Sequence, residues 1–461
     1  MCPLSAMMQF FVILVSLLLL CHHVVAQWTL NVKNDNANIT MYETEILEYD
    51  IAGPNTSDLQ LRLSTESEHI ADVDRTEIII KSEELNKGFK GNFSITGNFL
   101  GHTTVSLKLF KKNPSELLAE KFIDVKVTRA KRVIDTVFTS SVATLVSIIY
   151  INFGCALNWG ELRTGLKRPV GPVIGIVGQF LIMPLLSFGL GKVLFPDNPE
   201  MQLGMFFTGV SPGGGASNVW VAVLDGNIDL SITMTAISTF GAFGMMPLWL
   251  FTLGRVIFEQ GNLQVPYREI STYAIALVVP LLIGYLIQRF FKKVAAFFVR
   301  ILKGFSSLLI LFIIIFAIAT NLYLFELFSW QIVVAGMGLP WLGYMLAYLL
   351  ARICRQSAKN SLTIAIETGI QNTGISIFLL RFALPQPEAD LTTVVPVAVA
   401  TMTPFPLMFL FIYLKLRSRF SPQKEKTHLL SGSTPNEIDL DNNINDVDIN
   451  KNGNRDIATI S

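Results

Sequence analysis

Inside an apolar run over residues 361–380 the chain places one carboxylate, in the stretch Glu367-Thr368-Gly369-Ile370-Gln371-Asn372-Thr373-Gly374. A charged side chain at bilayer depth costs roughly 2.5–3.5 kcal/mol on insertion scales, so Glu367 needs a counter-charge, a cavity or an ion. Glu367 and Gln371 stand at i and i+4 and share a helix face. Gly369 and Gly374 give a membrane helix places to loosen and expose backbone carbonyls. The chemistry on offer is a convergence of oxygens. This stretch alone supports two readings: Glu367 pairs with a Lys or Arg of a neighbouring helix, or it binds a cation inside a transporter.

A second stretch has the same texture, Ser211-Pro212-Gly213-Gly214-Gly215-Ala216-Ser217-Asn218. Proline and three glycines predict an unwound segment, and irregular backbone at membrane depth is tolerated only where protein or a water-filled cavity satisfies it. Neutral oxygens recur in neighbouring segments: Ser231 and Thr235 share a helix face at i, i+4, and Gln179 lies within Gly178-Gln179-Phe180-Leu181. Each alone is explained as well by a hydroxyl or amide bonding a backbone carbonyl or a neighbouring helix. Together, with a single carboxylate, they suit a monovalent hard cation better than a divalent one. No Lys or Arg lies within the apolar segments away from their ends, so the ion-pair reading lacks its partner.

The elements that must position these groups are membrane helices. The 461 residues are 51 % apolar and only 15 % charged, which fits a polytopic membrane protein and excludes an ordinary soluble enzyme. The charge pattern carries no nucleic-acid footprint. Beyond residue 133, apolar segments fall at 134–157, 170–194, 200–223, 228–254, 268–288, 301–323, 330–351, 361–380 and 391–414, each near the length of about 20 residues that a span needs. The broken spans are the third and eighth, which cross in opposite directions, each with an apparently intact neighbour on both sides. That is the pattern of an inverted repeat, which sets discontinuous helices across from one another near the midplane. The fold class expected is an all-α polytopic membrane protein, nine helices with an inverted repeat and two broken, crossing helices, behind a small β-sandwich-like extracellular domain.

Orientation follows from the basic loops. Arg163, Lys167 and Arg168, then Arg289, Lys292, Lys293, Arg300 and Lys303, then Arg352, Arg355 and Lys359 occupy alternate loops, and Lys415, Arg417 and Arg419 open the tail. The loop around Asp225 and Asp229 is the exception. The pattern puts the N-terminal domain outside or in a lumen and the C-terminus in the cytoplasm, at the plasma membrane or an endomembrane.

Residues 1–26 read as a signal peptide, with cleavage after Ala26; an uncleaved anchor is the alternative, because Lys and Arg are absent before the apolar core. Residues 27–128 carry short β-branched segments, as at Thr76–Lys81, and a clear alternation over Thr104–Leu109, as strands of a small sandwich would. This domain has no cysteine, so no disulfide framework supports it. Its sequons at Asn38, Asn55 and Asn92 suit glycosylation. The linker 129–133 begins Arg129-Ala130-Lys131-Arg132, either a furin-type cleavage sequence or a plain basic juxtamembrane segment. After the transporter domain, 134–416, the polar tail 417–461 is expected to be disordered. In it, Glu425, Leu429 and Leu430 match the spacing that sorting adaptors read, or form an incidental leucine pair.

The motifs Gly178-Gln179-Phe180, Ser211–Asn218 and Glu367–Asn372 resemble the bile acid:sodium symporter family, solute carrier family 10, over roughly residues 133–416. The N-terminal domain is similar to that of an orphan branch of the family. The resemblance implies two sodium sites, the first from Ser217, Asn218, Ser231, Thr235 and Glu367, the second from Gln179, Glu367 and Gln371 with the backbone carbonyls of Thr368 and Ile370. Thr368 and Ile370 differ from the commonest family side chains, which a backbone ligand tolerates. It also implies a core of spans two to four and seven to nine moving against a panel of spans one, five and six. The function expected is sodium-coupled symport of an organic anion, bile acid-like or a sulfated amphipathic solute, with sodium as coupling ion, no bound cofactor and no enzymatic activity. Two sodium ions against one carboxylate leave about one surplus positive charge for an anion to offset; each net charge carried inward gains about 2.3 kcal/mol per 100 mV. The rival reading is a receptor or adhesion protein with a degenerate transporter core.

Overall fold

The computed structural model describes residues 28–53, 58–112, 116–130, 133–156, 160, 167, 169–261, 263, 265–300 and 329–420. Outside the described residues lie the expected signal peptide and its cleavage point, Asn55, Lys131 and Arg132, Arg163 and Arg168, the span over 301–323, and the tail from residue 421 with Glu425, Leu429 and Leu430.

The N-terminal domain comprises nine strands: β1 Thr29–Val32, β2 Asn36–Thr40, β3 Thr44–Ala52, β4 Leu59–Thr65, β5 Ala71–Val73, β6 Glu77–Ile80, β7 Phe89–Gly97, β8 Gly101–Lys111 and β9 Glu116–Thr128. They form two sheets, ordered β1-β3-β7-β5 and β2-β9-β8-β4-β6. The alternation read over Thr104–Leu109 is the middle of β8, where Thr103, Val105, Leu107 and Leu109 turn inward. They meet Ile51, Phe93 and Ile95 of the other sheet in one shared core. Asn38 on β2 and Asn92 on β7 are both exposed.

The rest is helical: α1 Val133–Ala156, α2 Val170–Leu194, α3 Pro199–Val210, α4 Ala216–Val223, α5 Ile228–Gln260, α6 Tyr267–Phe290, α7 Trp330–Ile353, α8 Ala358–Gly369, α9 Thr373–Ala383, α10 Glu388–Leu391, α11 Val394–Met402 and α12 Pro404–Phe420. Among the described residues, six stretches are long and apolar enough to cross a membrane: α1, α2, α5, α6, α7 and the run Glu388–Arg417. The third and eighth expected spans are interrupted, as α3/α4 and α8/α9.

Three spans expected to be continuous are not uniform. α2 widens into a π-turn at Gly178–Ile182 and α5 at Leu250–Gly254, and the last span is divided into α10, α11 and α12. A π-turn leaves hydropathy unchanged, so apolar counting cannot detect it.

One apolar cluster joins α1 (Val142, Val146, Tyr150), α3 (Leu203, Phe206, Phe207), α5 (Met246), α6 (Ile270, Leu277) and α9 (Ile375, Leu379). The α1 residues lie in the middle of that helix, Ile270 and Leu277 in the first half of α6, and Ile375 and Leu379 in the α9 segment that leads to α10. The same end of the bundle carries the β-domain, whose Phe99 and Leu100 pack against Leu391 of α10. An apolar seam thus joins these helices on the β-domain side of the crossing described next.

Candidate functional site

The two interruptions cross each other and are joined through backbone. Gly213 and Gln371 form an antiparallel bridge. The Gly214 N–H donates to the Ile370 carbonyl at 2.8 Å, and the Asn372 N–H donates to the Pro212 carbonyl at 2.9 Å. Each unwound segment thereby satisfies polar groups that the other lost on leaving the helix. The approach needs glycine: a Cβ on Gly214 would stand 2.8 Å from the Gln371 carbonyl oxygen, a backbone atom that cannot step aside. Asn372 caps the renewed helix, its side chain accepting from the Ile375 N–H at 3.3 Å.

Glu367, on the last turn of α8, is only 3 % exposed. Its carboxylate accepts hydrogen bonds from two hydroxyls one turn apart on α5: Ser231 to Oε1, and Thr235 to Oε2 at 2.7 Å. Asn218, on the first turn of α4, accepts from Ser231 Oγ at 2.8 Å and donates to Thr235 Oγ1 at 3.2 Å. Ser217 is buried beside Glu367, with its hydroxyl short of a normal hydrogen bond. These are the five residues of the first sodium set, brought together from α4, α5 and α8. Among the described residues no Lys or Arg is paired with Glu367, so the ion-pair reading finds no support in their geometry.

The second set gathers next to the first. Gln179, in the π-turn of α2, donates from Nε2 to the Ser211 carbonyl at 2.7 Å and to Gln371 Oε1 at 2.8 Å. Gln371 Nε2 in turn donates to the Thr368 carbonyl at 2.6 Å. The Ile370 carbonyl is engaged by Gly214, leaving one lone pair. Thr368 Oγ1 is buried with no hydrogen-bond partner. A small cavity lined by Phe180, Met234 and Ser238 also reaches Gln179 of the second set and the shared Glu367.

Two contributors escaped the sequence reading. Ser238 extends the Ser231 and Thr235 stripe by one more turn of α5, and spacing alone identifies it. The Ser211 carbonyl, by contrast, has no signal beyond its place at the break.

Chemically, the arrangement is one carboxylate among neutral hydroxyl, amide and carbonyl oxygens. Among the described residues no three His, Cys, Asp or Glu side chains gather as for a transition metal. A buried polar atom left unbonded costs about 1–3 kcal/mol; Ser217 Oγ is such an atom within the first set, and Thr368 Oγ1 is another beside the second, in which Thr368 is expected to act through its backbone carbonyl. Hydroxyls that donate to Glu367 still have lone pairs to present to a cation. The donor set therefore fits a hard monovalent cation as cargo.

A family model described as the sodium bile acid symporter family matches residues 143–326. The ileal sodium/bile acid cotransporter of Cricetulus griseus is 32 % identical over 268 residues, covering 57 % of this chain and 75 % of the relative. The sodium-dependent organic anion transporter of Rattus norvegicus is 33 % identical over 251 residues, covering 54 % of this chain and 66 % of that protein. The P3 protein of Homo sapiens is 30 % identical over 255 residues, covering 55 % and 53 % respectively.

Proposed function

The chain belongs to the sodium bile acid symporter family, and from that premise we propose that it carries an organic anion, bile acid-like or a sulfated amphipathic solute, together with two sodium ions. Membership makes it a sodium-coupled integral membrane transporter and not an enzyme. The substrate class is our own reading, supported by charge: a site with one carboxylate and two cations is left positive, and the relatives' names include bile acid and organic anion carriers.

The observation that carries the proposal is Glu367, buried at the crossing and held by Ser231 and Thr235, with no counter-charge among the described residues. Ser217, Asn218, Ser231, Thr235 and Glu367 form the first sodium site. Gln179, Glu367 and Gln371, with the carbonyls of Thr368 and Ile370, form the second. Binding of both ions orders the crossed segments and completes the anion site.

Six stretches long and apolar enough to cross a membrane and two shorter, interrupted ones support nine spans once the segment over 301–323 is added. The opposed breaks support an inverted repeat, in which spans two to four and seven to nine move against spans one, five and six. The β-domain, 27–128, follows a cleaved signal peptide of 26 residues and faces outward with glycans on Asn38, Asn55 and Asn92. The transporter domain ends near residue 416, and the cytoplasmic tail offers Glu425, Leu429 and Leu430 to a sorting adaptor.

The test is uptake into proteoliposomes under a sodium gradient, comparing taurine-conjugated bile acids, sulfated steroids and uncharged steroids. The expected result is sodium-dependent accumulation of an anionic compound that Glu367→Gln abolishes. Uptake equally rapid in potassium, or undiminished in Glu367→Gln, overturns it.

A further inference from the structure

The β-domain is carried covalently by α1, because β9 ends at Thr128 and α1 begins at Val133. Its polar contacts with the bundle go elsewhere. His102 on β8 lies with Nε2 at 2.7 Å from Glu388 Oε1, and Lys126 on β9 with Nζ at 3.7 Å from Glu388 Oε2. Arg129, just after β9, reaches Asp390 Oδ2 at 3.4 Å and also Asp135 Oδ1 of α1 at 2.8 Å. Arg381 near the end of α9 holds the other oxygen of Asp390. Glu388 and Asp390 both sit on α10, the short helix joining α9 to α11, with side chains 4 % and 0 % exposed. Phe99 and Leu100 complete the contact against Leu391.

Arg129 is thus no free basic linker. It ties α1, on one side of the apolar seam, to the α9–α10 turn on the other. Tyr150 of α1, Ile270 and Leu277 of α6, and Ile375 and Leu379 of α9 belong to one apolar cluster across the seam and line a small cavity within it. α9 continues the broken span whose other half holds Glu367, so a movement that opens this seam separates α10 from the β-domain. Such a separation breaks ion pairs whose acidic partners are fully desolvated, and a buried charge that loses its partner is strongly unfavourable.

We propose that the β-domain, with the linker that follows it, is a clasp for the transporter: His102, Lys126 and Arg129 grip Glu388 and Asp390 and hold the seam shut on the β-domain side. Release of the clasp is a step of each transport cycle. The proposal rests on the transporter reading and gives the β-domain a function within it. The charges match in sign, and the domain's own attachment to α1 keeps the two surfaces close after release, so the clasp can re-form in every cycle.

The test uses the full chain in intact cells, in a Cys155→Ser, Cys354→Ser background, with Leu379→Cys as reporter in the seam. A membrane-impermeant maleimide is applied from outside. Arg129→Gln is expected to raise the labelling rate roughly tenfold, a shift in the open population equivalent to about 1.4 kcal/mol. His102→Gln with Lys126→Gln gives a smaller rise, and Arg129→Lys an intermediate one. Equal labelling of all variants at matched surface amounts overturns the clasp. A second arm bridges His102→Cys and Glu388→Cys with a reducible bifunctional thiol reagent and measures sodium-dependent uptake. Cross-linking should stop uptake and reductant should restore it; uptake that persists after complete cross-linking also overturns the proposal. If the unbridged protein shows no uptake at all, the transport reading fails, while the labelling arm still decides whether the seam is clasped.

Discussion

Two buried carboxylates in this protein face the same solvation cost and answer it differently. Asp390, 0 % exposed, is embraced by Arg381 and Arg129, so its charge is neutralised within the chain. Glu367, 3 % exposed, receives only hydroxyl donors from Ser231 and Thr235. Burial of a carboxylate is therefore not in itself a functional mark. What distinguishes Glu367 is an incomplete electrostatic environment rich in oxygen atoms, at a point where two helices are unwound. Asp390 joins structural elements; Glu367, in the proposed reading, takes its counter-charge from a bound ion.

The contrast breaks most sharply under neutralisation. Glu367→Gln should lower sodium-dependent uptake by more than about 100-fold, since the lost interaction involves the only charge in the site and exceeds about 2.7 kcal/mol by the tenfold-per-1.4 relation. Its thermal stability without sodium should stay level or rise, because an uncompensated buried charge is removed. Asp390→Asn should do the reverse. Arg129 keeps Asp135, but taking the carboxylate charge away from buried Arg381 costs up to about 3–5 kcal/mol, to be read as a lower unfolding midpoint in detergent, while sodium still raises the midpoint of the folded fraction. If Glu367→Gln unfolds the protein and Asp390→Asn leaves stability untouched, the two carboxylates have been assigned the wrong way round.

Much of the Glu367 site was legible because its signals are local. A carboxylate in an apolar run, Pro212 beside Gly213, Gly214 and Gly215, and the Ser231 and Thr235 spacing are each contained in a few residues. That the two breaks face each other followed from their opposed directions along the chain, while the division of their neighbours into two ligand sets came only through the resemblance, and nothing in Gly213 or Gln371 alone says that they pair. The Asp390 cluster was missed altogether. Arg129 precedes Lys131 and Arg132 and so reads as an exposed basic linker, yet its partners lie on α1 and on a helix near the far end of the chain. Charge pairing between distant segments leaves no periodicity to read. The π-turn that carries Gln179 was hidden for a related reason: it adds a residue to one turn without changing composition.

Smaller changes test how the site divides its work. Ser231→Ala removes a donor to Glu367 and, in the proposed reading, a sodium ligand. Hydrogen bonds to charged groups are worth about 1.5–3 kcal/mol, so the sodium concentration for half-maximal uptake should rise about 10- to 100-fold with little change in the saturated rate. Thr235→Val should act in the same direction, and the double change should fall short of the product of the two, because both hydroxyls contact Asn218 and Glu367. Full additivity would place the two hydroxyls in independent environments, against the geometry.

The gentlest test concerns the crossing rather than the charge. Asn372 caps α9 through its side chain while its N–H holds Pro212 of the opposite break. Asn372→Ala removes the cap and keeps the backbone bond, which should cost about 0.5–2 kcal/mol of stability. Because α9 begins at the crossing, the loss should be larger in sodium-free buffer, where nothing else orders the segment, and smaller at saturating sodium, where bound ions hold the same backbone. Unfolding midpoints of wild type and Asn372→Ala across a sodium titration measure that difference. Converging midpoints would tie the cap to the ion sites; a constant gap would make it an ordinary helix cap, with the crossing already rigid before sodium arrives.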